Sequence, residues 1–287
     1  MKNNEGIQLS VIVLCWNHCE DLTKPFIKNF LEMTSIERDG VELILFDNGS
    51  TDKTWSYLRT QELGNYIKVY HSNSNLGFGK GNNEALKYAD GKYVLFLNND
   101  VVLHDKEWAT KLLKEFEKNP KQTLGHQLIT GNSATEFRGK FKDYIGGWCL
   151  ALPKEFLDNH GNFHKDFGIA YFEDVELSLR AARRGYPLKQ IDLGMEHLGS
   201  KSSADQLDFK EETLINKSVY LNLMQELEFG KNKRIVFYVS GVYPFTDSDY
   251  NGKGVGGAEA SLILLTRELA KLGYIVDIYN DTETEGE

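Results

Sequence analysis

Short apolar runs alternate with segments of helical spacing along the first part of the chain. The first run, Leu9 to Leu14, is nearly continuous and predicts a strand that is buried on both faces of a sheet. The next segment places four apolar residues on one helix face: Phe26, Ile27, Phe30 and Leu31. The alternation continues with predicted strands at 41–46, 67–70 and 92–97 and predicted helices at 54–63, 79–88 and 108–116. This order predicts an α/β fold with a mostly parallel central sheet and helices on both of its faces.

The pattern then divides the chain into a large first domain and a short final unit. After Pro120 it becomes irregular, and a clear helix returns at 174–184. The last segment predicts one βαβ unit, with strands at 234–240 and 274–279 around a helix at 258–272. About 55 residues cannot close a doubly wound domain, so we expect this tail to begin a domain whose remainder is missing. We therefore predict a domain at 1–205, a segment at 206–233 formed by a helix (209–229) and a linker, and a partial unit at 234–287.

Composition narrows the class of protein. The chain has 287 residues, with 33 Lys and Arg against 42 Asp and Glu, a formal net charge of -9. This balance argues against a nucleic-acid-binding protein, and any anionic ligand needs a local device such as a metal ion or a helix N-terminus. Three cysteines are too few for a disulfide framework, and the sequence shows neither an apolar signal segment nor an apolar run of about 20 residues. We expect a cytoplasmic protein, with a peripheral position at the inner membrane face as the other location considered.

Candidate binding residues follow the predicted strands, where ligands of open α/β sheets bind. Asp100 comes directly after the fourth strand, and its carboxylate suits a hard divalent cation that bridges diphosphate oxygens. Asp47 ends the second strand and can accept a hydrogen bond from a nucleotide base or ribose. Both residues are equally well explained as turn formers, so the residues alone leave the two interpretations open.

Three glycines precede the predicted helix at 79–88. Gly77, Gly79 and Gly81 allow close backbone approach, and the helix N-terminus after them offers N–H groups to a phosphate. The spacing is not that of a Walker motif, and the loop follows the third strand, so the signal is a weak one.

Two further positions carry candidate chemistry. Glu173 and Asp174 stand at a helix start, which stabilises the helix and also keeps a carboxylate ionised, as a general base requires. His197 follows an apparent strand at 189–191, and a lone histidine is more often structural than a metal ligand. Both interpretations stay open for each position.

Seven segments in this order resemble the family 2 glycosyltransferases, inverting enzymes of GT-A fold that use nucleotide-diphosphate sugars. The resemblance covers about residues 8–200 and rests on the first strand with Asn17, Asp47 to Asp52, Asn75 and Gly77 with Asn83, Asn98 to Asp100, Gly146 to Cys149, Glu173 and Asp174 with Arg180, and His197. The chain departs from the family at Cys15-Trp16-Asn17, where Pro-Thr-Tyr is common, and at Asn98, where many relatives carry Asp.

The resemblance implies a role for each of these positions. Asp47 would bind the nucleotide base, Asp100 and His197 would hold a divalent metal, Mn²⁺ or Mg²⁺, and Asp174, with Glu173 beside it, would deprotonate the acceptor hydroxyl. The implied donor-binding residues are Asn17, Asp47, Asn48, Gly77, Asn83 and Asn99. The implied activity is hexosyl transfer in polysaccharide biosynthesis, from a nucleotide-sugar to a glycan, lipid-linked or protein acceptor.

The final unit has a resemblance of its own. Lys253-Gly-Val-Gly-Gly-Ala-Glu259 looks like the start of a GT-B family 4 glycosyltransferase, whose Gly-Gly loop opens a helix near the donor phosphates. A simple strand-to-helix turn is the alternative.

Two other functions compete with the transferase. A non-catalytic nucleotide-sugar-binding or scaffolding module would keep Asp47 and Asp100 but would have no use for Asp174. A nucleotidyltransferase would usually have a Gly-rich, basic loop after the first strand, and Leu14 to His18 is not one. The presence of Asp174 therefore favours the enzyme.

Overall fold

The buried strands predicted near the start of the chain form the middle of one sheet. The computed structural model describes residues 6–61, 66–130, 143–199, 215–224, 233–239, 257–271 and 274–280. The strands are β1 (Leu9–Cys15), β2 (Val41–Asp47), β3 (Ile67–His71), β4 (Tyr93–Leu97), β5 (Val101–Leu103), β6 (Thr123–Gly125), β7 (Leu128–Ile129), β8 (Tyr144–Ile145), β9 (Cys149–Pro153), β10 (Leu188–Gln190), β11 (Met195–His197), β12 (Lys233–Val239) and β13 (Tyr274–Asn280).

The helices lie between these strands. They are α1 (Lys24–Met33), which a π-helical turn precedes at Cys19–Thr23, α2 (Ile36–Asp39), α3 (Thr54–Leu58), α4 (Phe78–Leu86), α5 (Trp108–Lys118), α6 (Lys154–His160), α7 (Glu173–Arg183), α8 (215–224) and α9 (Gly257–Lys271).

Seven strands form the main sheet, in the order β10-β6-β9-β4-β1-β2-β3. The pairs β1–β2, β1–β4, β2–β3 and β6–β10 are parallel, and β9 alone runs antiparallel to its neighbours β4 and β6. The predicted α/β fold with a mostly parallel sheet is confirmed. The antiparallel strand β9 lies in the part of the chain where the sequence pattern is irregular.

Strands buried on both faces explain the apolar runs. In β1, Val11 and Val13 pack into the cluster that contains Phe30 and Trp108, whereas Ile12 packs into a second cluster with Phe96. Successive side chains point to opposite faces of a strand, so a strand with helices on both sides is apolar at most of its positions. Each fully buried large apolar side chain contributes on the order of 1.5–3 kcal/mol to folding.

One predicted helix is shorter than its pattern. The helix predicted at 54–63 ends at Leu58, because the following N–H groups form three-residue turns: Thr60 donates to Tyr57 O at 3.0 Å and Gln61 donates to Leu58 O at 2.8 Å. The helix predicted at 79–88 is observed at Phe78–Leu86, within two residues of its predicted bounds, and the short helix α2 was not predicted.

The chain forms two compact units, residues 1–221 and 222–287. In the second unit, β12 and β13 are parallel and lie on either side of α9 in sequence, as the predicted strand-helix-strand pattern requires. The glycine-rich loop at 253–256, the linker residues 230–232 and the outer parts of the helix predicted at 209–229 lie outside the described residues. In the part of the chain that the structure describes, no helix is both long and apolar enough to cross a membrane.

We predict that deletion of residues 229–287 leaves the first unit folded. Among the described residues, both apolar clusters of the main sheet consist of residues from positions 9–195, so the deletion removes none of these side chains. The deletion variant should be soluble and should unfold in one cooperative transition by circular dichroism. An insoluble product would show that the second unit is needed for the first to fold.

Candidate active site

The carboxyl ends of three parallel strands bring the predicted site residues to one edge of the sheet. Cys15 of β1 lies opposite Asp47 of β2, and Asp47 lies opposite His71 of β3. Strand β4 is parallel to β1, so Asn99 and Asp100 follow it at the same edge. The register of the sheet thus confirms that these residues share one side of the molecule.

Asp100 and His197 form the most distinctive pair at this edge. Strand β5 pairs antiparallel with β11, which places His197 opposite Val101. The Asp100 Oδ1 and His197 Nε2 atoms are 3.1 Å apart, and both are buried without a hydrogen-bond partner. An oxygen and a nitrogen that face each other in this way are ligand atoms that suit a divalent cation such as Mn²⁺.

A cation held there would have few protein ligands. Among the described residues, no group of three or more His, Cys, Asp or Glu side chains is placed to hold a metal ion. Asp100 and His197 would therefore bind the ion together with oxygens of a ligand and water, an arrangement typical of metals that bridge a diphosphate.

Trp148 fixes the orientation of His197. The two rings are stacked, with centroids 4.9 Å apart and an angle of 4° between their planes. The indole Nε1–H donates to Gln127 Oε1 at 2.9 Å, which in turn holds the tryptophan. Such contacts set the ring direction of a metal-binding histidine.

The same turn reaches the acidic pair at the start of α7. The Gly147 N–H, next to Trp148, donates to Asp174 Oδ2 at 2.8 Å, and the Val175 N–H donates to Asp174 Oδ1 at 2.8 Å. A Cβ on residue 147 would lie 3.0 Å from the Asp174 Cβ, so glycine allows this close approach. The Gly147–Trp148 turn thus links Asp174 to His197.

Glu173 and Asp174 have different environments. Glu173 is 5% exposed, and its Oε2 atom has no hydrogen-bond partner. Burial, with a further contribution from the charge of Asp174, raises the pKa of Glu173 to about 8. Burial also raises the pKa of Asp174, but the N–H groups of Gly147 and Val175 oppose that change. At neutral pH Glu173 therefore favours its protonated form.

Asp47 is buried at the far side of the same edge. It is 2% exposed and accepts the Ser50 N–H at 3.3 Å through Oδ1, and burial raises its pKa. Next to it, the His71 ring lies against Trp55, with centroids 4.3 Å apart. An acidic acceptor beside two aromatic rings has the chemical character of a base-binding pocket.

The predicted asparagines connect their loops to other segments of the chain. Asn48 donates to Asn75 Oδ1 at 3.1 Å and accepts the Leu76 N–H at 3.0 Å, which joins the loops after β2 and β3. Asn17 accepts the Thr51 N–H at 2.8 Å. Asn99 is buried and donates to Thr23 Oγ1 at 3.3 Å. Donor contacts by Asn17, Asn48 and Asn99 stay predictions.

The start of α4, which is predicted to offer its N–H groups to a phosphate, meets the loop before α7. The first of these groups, on Phe78, donates to Ile169 O at 2.7 Å. Gly77 has a φ of 81°, and a Cβ there would lie 2.7 Å from Gly168 O. The glycine permits close approach by the loop before α7, which takes the first of these N–H groups, and the donor-binding role of Gly77 stays a prediction.

The side chain of Asn83 forms two hydrogen bonds with the same loop. It donates to Phe163 O at 2.7 Å and accepts the Phe163 N–H at 3.1 Å. Asn83 thus holds the loop in this structure, and its donor-binding role stays a prediction.

Comparison with known proteins decides the family. Residues 10–174 match the family model described as Glycosyl transferase family 2. The chain belongs to this family. The match contains Asp47, Asp100 and Asp174 and ends at the acidic pair.

Individual relatives of this family 2 chain cover it to different extents. Poly-beta-1,6-N-acetyl-D-glucosamine synthase of Staphylococcus epidermidis is 30% identical over 128 residues, which are 45% of this chain and 28% of that protein. The chain thus aligns with less than a third of the staphylococcal protein. The Escherichia coli UDP-Glc:alpha-D-GlcNAc-diphosphoundecaprenol beta-1,3-glucosyltransferase WfaP is 30% identical over 242 residues, 79% of this chain and 90% of WfaP.

A solved structure confirms the fold. The mannosyltransferase PcManGT from Pyrobaculum calidifontis, in complex with GDP-Man and Mn²⁺, superposes with a TM-score of 0.54 at 16% identity and covers 93% of this chain and 81% of its own. The predicted GT-A architecture of the family 2 domain is therefore correct. The GT-B resemblance of residues 234–287 stays a prediction.

The sequence pattern missed the function of one residue in the family 2 domain. Trp148 entered the prediction only as part of a resembling segment, and its stacking on His197 joins residues 49 positions apart. The two glycines before it were the available signal, since consecutive glycines mark close backbone approach.

We predict that Glu173 makes stability depend on pH. Its carboxyl stays protonated in the folded chain up to about pH 8 but ionises near its ordinary pKa of 4.5 when the chain unfolds, so unfolding releases a proton between these values. Stability should therefore fall as the pH rises from about 4.5 to about 8 and then level off. Glu173→Gln, which stays neutral, should reduce this decline in melting temperature measured by circular dichroism.

The matched control for this prediction is Glu155→Gln, which alters an exposed carboxylate of α6. This control should keep the decline of the unmodified chain. Equal declines in Glu173→Gln and in the unmodified chain would show that Glu173 ionises normally in the folded state.

Proposed function

We propose that this chain transfers a sugar from a nucleotide-diphosphate donor to an acceptor hydroxyl, with inversion at the anomeric carbon and with help from a divalent cation. The observation that carries the proposal is the buried pair Asp100 Oδ1 and His197 Nε2, 3.1 Å apart and without hydrogen-bond partners. The Gly147–Trp148 turn connects this pair to Asp174, so diphosphate-binding and proton-accepting groups belong to one structural unit.

The donor side is assigned to the loops after β1, β2 and β4. Asp47 would accept a hydrogen bond from the base, and Asn17, Asn48 and Asn99 would shape the loops around the nucleotide. Asp100 and His197 would hold Mn²⁺ or Mg²⁺, which when bound neutralises part of the charge that develops on the leaving diphosphate. The GDP-Man and Mn²⁺ of the mannosyltransferase and the UDP-Glc in the name of WfaP support a donor of this class.

The acceptor side is assigned to Asp174. Its carboxylate would accept the proton of the acceptor hydroxyl while the hydroxyl oxygen forms a bond to the anomeric carbon and the bond from that carbon to the diphosphate oxygen breaks. One displacement of this kind inverts the anomeric centre. Neutral Glu173 beside it leaves the negative charge on Asp174, because two buried carboxylates at close range do not both ionise.

The acceptor is proposed to be a growing glycan, free or lipid-linked. The two curated relatives have names that refer to a poly-N-acetylglucosamine and to a diphosphoundecaprenol-linked sugar, which supports a place in polysaccharide biosynthesis. The second unit is proposed to be the beginning of a GT-B-like region, so the first unit would carry this reaction by itself.

We predict that Asp174→Asn lowers turnover by about 10²- to 10⁴-fold, because the amide cannot accept the proton. Its single amide oxygen can accept only one of the two backbone N–H groups that bind Asp174, so the melting temperature should fall somewhat, whereas donor affinity should change little. The measurement pairs turnover with donor Kd from calorimetry. Retained turnover would remove Asp174 from the mechanism and give the role of the base to Glu173 or another carboxylate.

The control for this substitution is Asp105→Asn. Asp105 also accepts a backbone N–H near a helix start, from Glu107 at 2.8 Å, but it has no part in the proposed mechanism. Turnover of Asp105→Asn should match that of the unmodified chain.

We predict that Asp100→Ala and His197→Ala each weaken Mn²⁺-dependent binding of a nucleoside diphosphate by about 10-fold or more, since each removes one of two protein ligands. Calorimetry with UDP and GDP, with and without Mn²⁺, measures the effect. His104→Ala is the control, because His104 is an exposed histidine that pairs with Glu196. Unchanged Mn²⁺ dependence in both ligand variants would place the metal elsewhere.

A further inference from the structure

The loop that carries the acidic pair is strained where it meets α7. We call residues 161–172 the base loop, since Glu173 and Asp174 follow it directly. Its last two residues, Tyr171 and Phe172, have φ values of 81° and 70°. Such values are unfavourable for residues other than glycine and persist only where the surroundings impose them. Contacts from other parts of the chain must therefore hold the base loop.

The beginning of the base loop is held from α4 and α7. Arg180 of α7 donates to the carbonyl oxygens of His160, Gly161 and Asn162, each at 2.6 Å. Asn83 of α4 holds the backbone of Phe163 at both its N–H and its carbonyl. Phe163, the last residue that these contacts hold, lies nine residues before Phe172, the second strained residue.

The end of the base loop is held from α8. Asn216 accepts the Gly168 N–H at 2.8 Å through Oδ1 and donates through Nδ2 to Ala170 O at 2.6 Å. One helical turn later, the Tyr220 ring stacks on Phe172 with centroids 5.5 Å apart. Asn216 is 0% exposed and Tyr220 is 1% exposed. Residues four apart share one helix face, so α8 contacts the base loop with a single face.

We propose that Asn216 is a positioning residue for sugar transfer, which sets the place of Asp174 by fixing the base loop from outside the family-matched segment 10–174. The proposal rests on the proposed role of Asp174 as the base. Asn216 makes no contact with Asp174 itself; it acts through the backbone at Gly168 and Ala170.

The chemistry of the amide suits this role. An amide side chain has one acceptor oxygen and donor N–H groups, which match one backbone N–H and one carbonyl of the loop. Because the side chain is buried, loss of either bond leaves an unpaired polar group in the interior. The loop between these two bonds, at Ile169, also accepts the Phe78 N–H of α4 at 2.7 Å. One register of the base loop satisfies all three bonds together.

The test uses Asn216→Ala in the full chain. Turnover should fall on the order of 10- to 100-fold, as expected for a misplaced catalytic group. The Kd for UDP with Mn²⁺ should stay within about twofold, because Asp100 and His197 are not in the base loop. Amide hydrogen exchange of residues 163–172 should become faster, which is a direct measure of the loosened loop.

Two further variants keep the test decisive. Asn29→Ala removes an equivalent pair of bonds, between an asparagine and the backbone of Leu103, and should leave exchange in the base loop unchanged. If Asn216→Ala does not fold, Tyr220→Leu loosens the same loop by removing the ring that stacks on Phe172, and the same separation of turnover from donor Kd is expected.

Normal turnover in Asn216→Ala, or base-loop exchange equal to that of the unmodified chain, would overturn the proposal. An equal loss of donor affinity and turnover would also overturn it, since the loop would then act on donor binding. Failure of the proposed function looks different: Asp174→Asn would keep its turnover, while Asn216→Ala would still show faster exchange in the base loop.

Discussion

The parallel register of β1 with β2 and β4 is the constraint on which the site depends. Apart from Ser10 and Glu42, which bind each other near the opposite ends of β1 and β2, the side chains on both faces of these strands are mostly apolar, and all three strands end at one edge. Asp47, Asn99 and Asp100 occupy the first positions at or beyond those ends. The main sheet therefore does more than support the site: it determines which residues of the sequence can belong to it.

One short turn, at Gly147 and Trp148, contacts both Asp174 and His197, which belong to different elements of the fold. Gly147 and Trp148 come just before β9, the antiparallel strand beside β4, and this places the Gly147 N–H on Asp174 and the indole on His197. The hydrogen bond favours the charged form of Asp174, whereas Glu173, without a partner for its Oε2 atom, keeps its proton. The electrostatic difference between two neighbouring carboxyls thus arises from which one the turn reaches.

Local patterns predicted the parts of this structure that depend on neighbouring residues. The apolar runs gave β1, β2 and β4 because burial on both faces is visible in consecutive residues, and Asp47 and Asp100 were found by their position after such runs. Contacts between distant residues were not predictable in this way. Asn216 binds residues 46 and 48 positions away, and nothing in its neighbourhood distinguishes it from any polar residue of a helix.

Gly77 shows how such a limit leaves a prediction open. A glycine before a helix indicates that something approaches the backbone closely, but it does not say whether a ligand or the chain itself does so. Here the base loop approaches, and Ile169 O takes the first N–H of α4. The chain is acidic overall, with a net charge of -9, so a diphosphate needs a local source of positive charge. With the Phe78 N–H already bonded, a cation at Asp100 and His197 is the source of that charge in the proposed function, which makes donor binding dependent on the metal.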